Sequence, residues 1–598
     1  MSEYHAPLKD MQFLIHEVVG LEQITALPGF GEISGELVNQ ILEEAARFAN
    51  GVLSPLNWVG DRQGARLDGT GGVITPPGFR DAYHQFVGAG WNGLTAEVEY
   101  EGQGLPRAVG TPVSEMWHSA NMAFTLCPLL TQGAIEAIRL CGSPALRERY
   151  LPRMISGEWT GTMNLTEPQA GSDLAALRSR AVPEGDHYRI HGQKIFITYG
   201  DHDYTDNIIH LVLARTPDAP EGVKGISLFV VPKVLVNDDG SLGAPNDVRC
   251  VSIEHKLGIH GSPTCVMAYG DREGAIGYLV GEENRGLEYM FIMMNAARFA
   301  VGLEGIGIAE RAYQQALGYA RDRVQGTPAG GSPANRQPIL FHPDVRRMLM
   351  NMRARTEGAR ALAYYAGSLM DLAEFHPDEA VRRGHQARVD LLIPVVKGWS
   401  TEMAVEMASL GVQVHGGMGF VEETGAAQHL RDARITTIYE GTTGIQANDL
   451  VGRKFLRDRG AAMQALLAEL DEEMQALASH DHPEVAAIAN RQLAAQHDLG
   501  CAARWVLATG STQPATVYAG AWPFLKLTGN VLCGALMARS AAVAAAGLAA
   551  GTGDPIFYDA KIKTARFFAE HVLAECAGLA QAITEGGDSV VALTEAQF

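Results

Sequence analysis

The feature that most limits the fold of this 598-residue chain is a change of hydrophobic period that occurs twice. Up to about residue 154, apolar residues recur at three- and four-residue spacing, as over 11–18 and 37–48. That spacing marks one face of a helix. From Trp159 to about Gly281 the apolar runs are short, β-branched and separated by Gly, Pro, Asn and Asp. Runs at 188–190, 194–198, 208–214, 226–231 and 264–267, with turn signals between them, predict a small β-barrel or sandwich. Helical spacing then returns over 285–324, 344–373 and 379–410, with a Pro/Gly-rich loop at 326–338 and an Ala-rich block after Phe455. The expected fold is therefore mainly α with a central β domain. It has helices over 1–158, a β domain over 159–281, a four-helix bundle over 282–454 and an additional helical domain over 455–598.

Composition removes several function classes. A net charge of −20 lacks the basic face that nucleic acid requires. The seven cysteines are scattered without CxxC spacing, which predicts neither a zinc site nor a disulfide framework and fits a reducing compartment. No run of about 18 uncharged apolar residues calls for a membrane span. The nearest candidate, 531–550, is rich in Ala and Gly and interrupted by Arg539, which suits a tightly packed buried helix. The first residues carry no basic n-region followed by an apolar h-region. A cytoplasmic protein is expected.

Three stretches hold residue types that can do chemistry. Arg431-Asp432-Ala433-Arg434-Ile435-Thr436-Thr437-Ile438-Tyr439-Glu440-Gly441-Thr442 reads as a helix end followed by a turn. A carboxylate placed after such an apolar run, Glu440, can be partly desolvated, which raises its basicity. An exposed Glu at a helix end fits the same letters. Thr166-Glu167-Pro168-Gln169-Ala170-Gly171-Ser172-Asp173 offers a Thr, a Gly that permits close approach and a Ser. That set suits a phosphate or a ring edge, and equally an ordinary capped turn. In Lys194-Ile195-Phe196-Ile197-Thr198, strand alternation puts Phe196 and Thr198 on one face, where an aromatic ring and a hydroxyl can meet a planar ligand or simply join a core.

These stretches, with Arg298 and Arg323 twenty-five residues apart and the run 413–420, come in the order and spacing of a known family. Over about residues 40–455 the chain resembles the acyl-CoA dehydrogenases. The run 255–264 and the C-terminal block are similar to the subgroup of 3-methylmercaptopropionyl-CoA and bacterial fatty acyl-CoA dehydrogenases. The resemblance implies a bound FAD. Thr166, Gly171 and Ser172 would contact it, with Ser172 at the pyrophosphate. Phe196 would stack on the flavin in a position that is often Trp, and Thr198 would meet the ring edge near N5. Arg323, Gln413, Gly416 and Gly417 would reach the FAD of a neighbouring subunit, which implies at least a homodimer. Thr442 joins the FAD contacts. Asn295, Arg298 and Gly441 would contact the acyl-CoA. The loop after Arg323 is longer than the family usually has, so this FAD contact departs from the common pattern.

The activity implied is α,β-dehydrogenation of an acyl-CoA to the trans-2-enoyl-CoA, with Glu440 as catalytic base, flavin N5 as hydride acceptor and electron-transfer flavoprotein as the onward acceptor. Some members carry the base just before the Arg298 position; here that residue is Ala297, so Glu440 has no rival. His260 and His415 lack an evident partner and are expected to be structural, and Glu422 and Glu423 to be solvated. An acyl-CoA oxidase would use the same base and flavin. A flavin monooxygenase on this scaffold would commonly lack the Glu440-type base. A DNA-associated relative would need a basic C-terminal block, yet residues 454–598 hold ten Lys and Arg against fifteen Asp and Glu.

Overall fold

A computed structural model describes residues 4–331 and 336–598 of the chain. Residues 332–335, within the loop expected over 326–338, lie outside the described residues, as do residues 1–3. The chain forms two compact units. One comprises 48–105 and 120–300, the other 1–47, 106–119 and 301–598.

The first unit is built on an eight-stranded sheet. Its strands are β1 (Thr160–Asn164), β2 (Arg180–Glu184), β3 (His187–Thr198), β4 (Ile208–Ala214), β5 (Ser227–Pro232), β6 (Val248–Ile253), β7 (Thr264–Tyr269) and β8 (Ala275–Leu279). The spatial order is β6-β7-β3-β8-β5-β4-β1, with β2 paired to β3 off that path. Pairing is antiparallel except between β1 and β4, which run parallel with Thr160 opposite Ile208. Every residue of β4 and β5 is buried, so both strands read as mostly apolar runs, with His210 inside β4 and Ser227 opening β5, rather than as alternating ones. Alternation still sorts their side chains. Leu211, Leu213, Leu228 and Val230 enter a core shared with Ala134, Ile138, Leu151 and Met154. Val212, Ala214, Phe229 and Val231 enter a second core with Ile190, Ile197 and Met267.

The segment 121–133 is largely buried. It belongs to a helix spanning Arg107–Cys141 that is interrupted at Asn121, where φ is −159° and ψ is 88°. The Asn121 side chain restarts the helix by accepting a bond from the Phe124 N–H at 3.1 Å, the capping role for which Asn is suited.

In the second unit, the long helices are the C-terminal part of α1 (Gly286–Asp322), then α2 (Pro343–Phe375), α3 (Glu379–His415), α4 (Ala426–Thr436), α5 (Ala461–Ala478), α6 (Pro483–Thr509), α7 (Ala521–Ala550) and α8 (Pro555–His571). Small residues set the packing distance. A methyl group on Gly302 would lie 2.6 Å from the Val396 side chain, and one on Gly305 would lie 2.7 Å from the Ser400 carbonyl oxygen. On α7, a methyl group on Gly529 would lie 2.2 Å from the Trp399 ring, and the Trp399 indole N–H donates to Asn530 Oδ1 at 2.9 Å. Helices α1 and α7 are long and apolar enough to cross a membrane by length and composition, and 67% of each apolar window is buried inside the protein. The C-terminal block thus covers the bundle through α7, which packs on α2 and α3.

A buried charge network links the ends of this unit. The Arg360 guanidinium, 1% exposed, donates to Asp10 at 2.7 Å, Glu115 at 2.6 Å and Glu310 at 2.7 Å. Tyr364 donates its hydroxyl to Glu115 at 2.8 Å. Lys561 of α8 pairs with Asp10 and, at 2.8 Å, with Glu357. Burial alone would raise the Asp10 carboxyl, but Lys561 and Arg360 together hold it down at about 2. Removing one member of such a group strands the others in a medium that solvates charge poorly. Arg360→Met should therefore destabilise the protein by about 3–5 kcal/mol in denaturant titrations. A change under about 1 kcal/mol would show that these carboxylates do not depend on the guanidinium.

Candidate active site

The turn that carries Glu440 follows α4 and precedes a short helix, Thr443–Asn448, which Thr442 caps by accepting from the Ile445 N–H at 3.3 Å. Between them the backbone enters the left-handed region twice, with φ of +54° at Glu440 and +88° at Gly441. A non-glycine residue held there costs about 1–3 kcal/mol and persists only where its surroundings enforce it. The enforcement is visible. Gln446 Nε2 donates to the carbonyls of Glu440 and Gly441, both at 3.1 Å, and Lys397 Nζ donates to the Gly441 carbonyl at 2.7 Å. The Tyr439 hydroxyl donates to Glu304 Oε2. Glu440 itself is half-buried.

A second set of expected site residues lies on the sheet unit. Gly171 and Ser172 are exposed, Thr166 and Thr198 half-buried, and Phe196 is 60% exposed. Local alternation alone did not anticipate the geometry of β3. Its pairing with β7 shifts between Cys265 and Met267, and Phe196 takes φ +60°. This bulge turns Lys194 and Ile197 inward and leaves Phe196 and Thr198 on the accessible side. The Thr166 carbonyl accepts from the Ile195 N–H at 2.9 Å, which ties the 166–173 turn to the same strand. An exposed aromatic ring and a hydroxyl on one strand, tied to a turn whose Gly171 has nothing within 4 Å of its missing Cβ, fit a planar ring system carrying a phosphate.

The remaining expected residues are placed as follows. In the sheet unit, Asn295 is half-buried and Arg298 buried on α1. In the helical unit, Arg323 is exposed just past the end of α1, at the base of a loop closed by a Val324–Pro338 bridge. Gln413, Gly416 and Gly417 are exposed at the end of α3, followed by Phe420 at 87% exposure. His415 is structural: its Nδ1 faces the Gly411 carbonyl at 2.7 Å and its ring stacks on Tyr319 at 4.5 Å. The two ring nitrogens of His260 face the carbonyls of Asp61 and Lys256, each at 2.9 Å. Glu422 and Glu423 are exposed, and Glu422 pairs with Arg431 at 2.9 Å. Among the described residues no group of His, Cys, Asp and Glu is arranged to hold a metal ion.

Known protein families match the chain in the order of these elements. The family models are the acyl-CoA dehydrogenase N-terminal domain over 38–158, middle domain over 162–271 and C-terminal domain over 284–455. An acetyl-CoA dehydrogenase C-terminal-like domain matches 465–594. The chain belongs to the acyl-CoA dehydrogenase family. It is an FAD-dependent oxidoreductase that dehydrogenates acyl-CoA. The chain is 52% identical to the 3-methylmercaptopropionyl-CoA dehydrogenase of Ruegeria pomeroyi, over 98% of this chain and 99% of that one. It is 34% identical to the broad-specificity linear acyl-CoA dehydrogenase FadE5 of Mycobacterium tuberculosis, over the full length of both. Its fold is similar to an acyl-CoA dehydrogenase from Bacillus anthracis solved with FAD, with a TM-score of 0.74, 22% identity and coverage of 98% of this chain and 93% of that one.

Several residues of these sites carry no local sequence signal. Glu167 lies in the Thr166 turn and Lys194 on β3, and the two form a buried ion pair at 2.8 Å. Lys194 Nζ also donates to the Leu165 carbonyl at 3.0 Å, and Glu167 accepts from the N–H groups of Arg178 and Ser179. Burial alone would raise the Glu167 carboxyl. The Lys194 charge and these hydrogen bonds outweigh burial and hold it at about 2, against an ordinary 4.5. A depressed acid adds stability above the unfolded value and loses it as pH falls through the folded one. The Glu167 contribution is thus complete above 4.5 and disappears towards about 2. Melting temperature should fall less steeply across that window in Glu167→Gln than in the parent protein. Parallel curves would show that the pair does not support the turn.

Proposed function

We propose that this chain dehydrogenates 3-methylmercaptopropionyl-CoA, or a linear acyl-CoA of similar length, with Glu440 as the base. The observation that carries the substrate assignment is the 52% identity to the Ruegeria pomeroyi enzyme over nearly the whole of both chains. The observation that supports the base is the enforced left-handed turn, which fixes Glu440 between Tyr439 and the Gly441 carbonyl contacts.

The chemistry follows from the weak acidity of a thioester α-hydrogen. Glu440 takes the α-proton, and the β-hydrogen departs with its electron pair, so that a Cα=Cβ double bond forms. Bound FAD supplies the acceptor for that hydride. The backbone N–H of Glu440 would donate to the thioester oxygen, where negative charge develops. Phe196 would support the flavin ring, with Thr198 at its edge and Thr166, Gly171, Ser172 and Thr442 on the remainder of the cofactor. Arg298 and Asn295 would meet the CoA portion, and Gly441 the acyl-CoA as well. Arg323, Gln413, Gly416 and Gly417, all exposed, would serve the FAD of a second copy, with the exposed Phe420 as apolar contact area. That arrangement makes the working form a homodimer or higher oligomer, with electron-transfer flavoprotein as the oxidant of the reduced enzyme.

Positioned proton transfer is worth about 10²–10⁴-fold. Glu440→Gln should retain FAD and slow flavin reduction by at least about 10³-fold. Near-normal reduction would sink the assignment of the base.

Anaerobic titration with acyl-CoAs of increasing length, including 3-methylmercaptopropionyl-CoA, should bleach the flavin most readily with that thioether and its short linear neighbours. One methylene is worth only about 1–3 kcal/mol in an apolar pocket, so neighbours should differ by about 10–200-fold in kcat/KM. Preference for a long chain would transfer the assignment to fatty acyl-CoA. Rapid reoxidation of the reduced enzyme by oxygen would identify an oxidase.

A further inference from the structure

The Tyr439 hydroxyl leads to a second carboxyl group. Glu304 lies on α1, two turns beyond Ala297, in the apolar sequence Gly302-Leu303-Glu304-Gly305-Ile306. It is 0% exposed. Oε2 accepts from Tyr439, and Oε1 is buried with no hydrogen-bond partner among the described residues. The ionised groups acting on it are Glu440 and Lys397. The Lys397 ammonium is itself buried and donates to the Gly441 carbonyl at 2.7 Å. A buried acid, the residue next to the base, and a lysine bonded to the residue after it therefore form one group around the turn.

An ionised carboxylate with one oxygen unpartnered in such a place carries a large desolvation cost, whereas the neutral acid does not. Two neighbouring carboxyls in unlike environments divide their protons unequally, which assigns the acid and the base. Here the fully buried member is the one suited to hold the proton, and the half-buried member the one suited to receive it.

We propose that Glu304 is a positioning residue for the base: a buried acid that fixes the Glu440 turn through Tyr439 and holds one proton of the pair, so that Glu440 is the proton acceptor. This inference rests on Glu440 being the base. Burial pushes the Glu304 carboxyl up to about 8; the Tyr439 bond pulls it down, the Glu440 charge raises it further, and Lys397 opposes that rise. Through the neutral range Glu304 stays uncharged. Above about pH 8 it ionises, and a second anion faces Glu440 beside a thioester on which negative charge also develops. Repulsion then displaces the base from its set position, and proton abstraction slows.

The test is the pH profile of anaerobic flavin reduction by 3-methylmercaptopropionyl-CoA, measured by rapid mixing on the FAD-loaded enzyme. The parent enzyme should lose rate on the alkaline side with a midpoint near 8. Glu304→Gln, which is isosteric and always neutral, should stay within about fivefold of the parent at pH 7 and lack that limb. Tyr439→Phe removes a bond that favours the ionised form, so the limb should move to higher pH, with a loss of about tenfold at pH 7. An alkaline limb of the same midpoint in Glu304→Gln overturns the inference. So does a parent profile with no limb. Should Glu304→Gln fail to fold, an unmoved limb in Tyr439→Phe overturns it instead. Glu440→Gln separates the two ideas. Activity there removes the base assignment itself, whereas inactivity with a parent-like Glu304→Gln profile removes only the role of Glu304.

Discussion

Arg360 is the fixed point of the helical unit. One guanidinium is shared by carboxylates from a helix at residue 10, one at residue 115 and one at residue 310, and Lys561 extends the network to the last long helix. A guanidinium presents five donors in a rigid fork, so several acids can be satisfied at once only if the helices bearing them hold to one geometry. Apolar packing alone tolerates sliding. A buried network of this kind does not, because displacement of one member leaves another charge without a counterpart. It therefore acts as a registration device for helices that begin far apart in sequence.

That registration reaches the Glu440 turn through α1, which carries both Glu310 of the network and Glu304. Lys397 on α3 and Glu304 on α1 reach the Tyr439–Gly441 turn from different elements, while Gln446 holds it from the short helix that follows. The left-handed backbone at Glu440 is a local cost met by long-range contacts. On the sheet unit the same logic appears at Phe196, where a bulge aims an aromatic ring outward and a buried Lys194–Glu167 pair locks the neighbouring turn.

Much of this was legible in the letters. The two changes of period located the sheet and the long helices, because periods of 2 and 3.6 are local properties. The 431–442 run announced its turn, because a helix end, a β-branched run and a Gly follow one another in sequence. The aromatic at 196 and hydroxyl at 198 were readable as a pair, but the reason they share the accessible side was not. Alternation would put buried Lys194 on the same face as both, and the bulge that separates them lies opposite β7, some seventy residues on. Glu304 was illegible for a related reason. Its partner lies 135 residues away, and a single Glu in an apolar helix offers no local clue to what it faces. The Arg360 network, spanning 350 residues between Asp10 and its guanidinium, is beyond any motif.

The contact between Gly529 and Trp399 bears on how such a chain can be inherited. A glycine that admits an indole at 2.2 Å from where its own methyl would sit is matched to that one partner. Trp399 belongs to the portion matched by the acyl-CoA dehydrogenase C-terminal domain, and Gly529 to the added block. The two portions are therefore not interchangeable modules. A bundle taken from a relative without the extension would present the wrong surface to α7, and the extension grafted elsewhere would expose a long apolar helix. Their sequences are bound to drift together, as a single heritable piece.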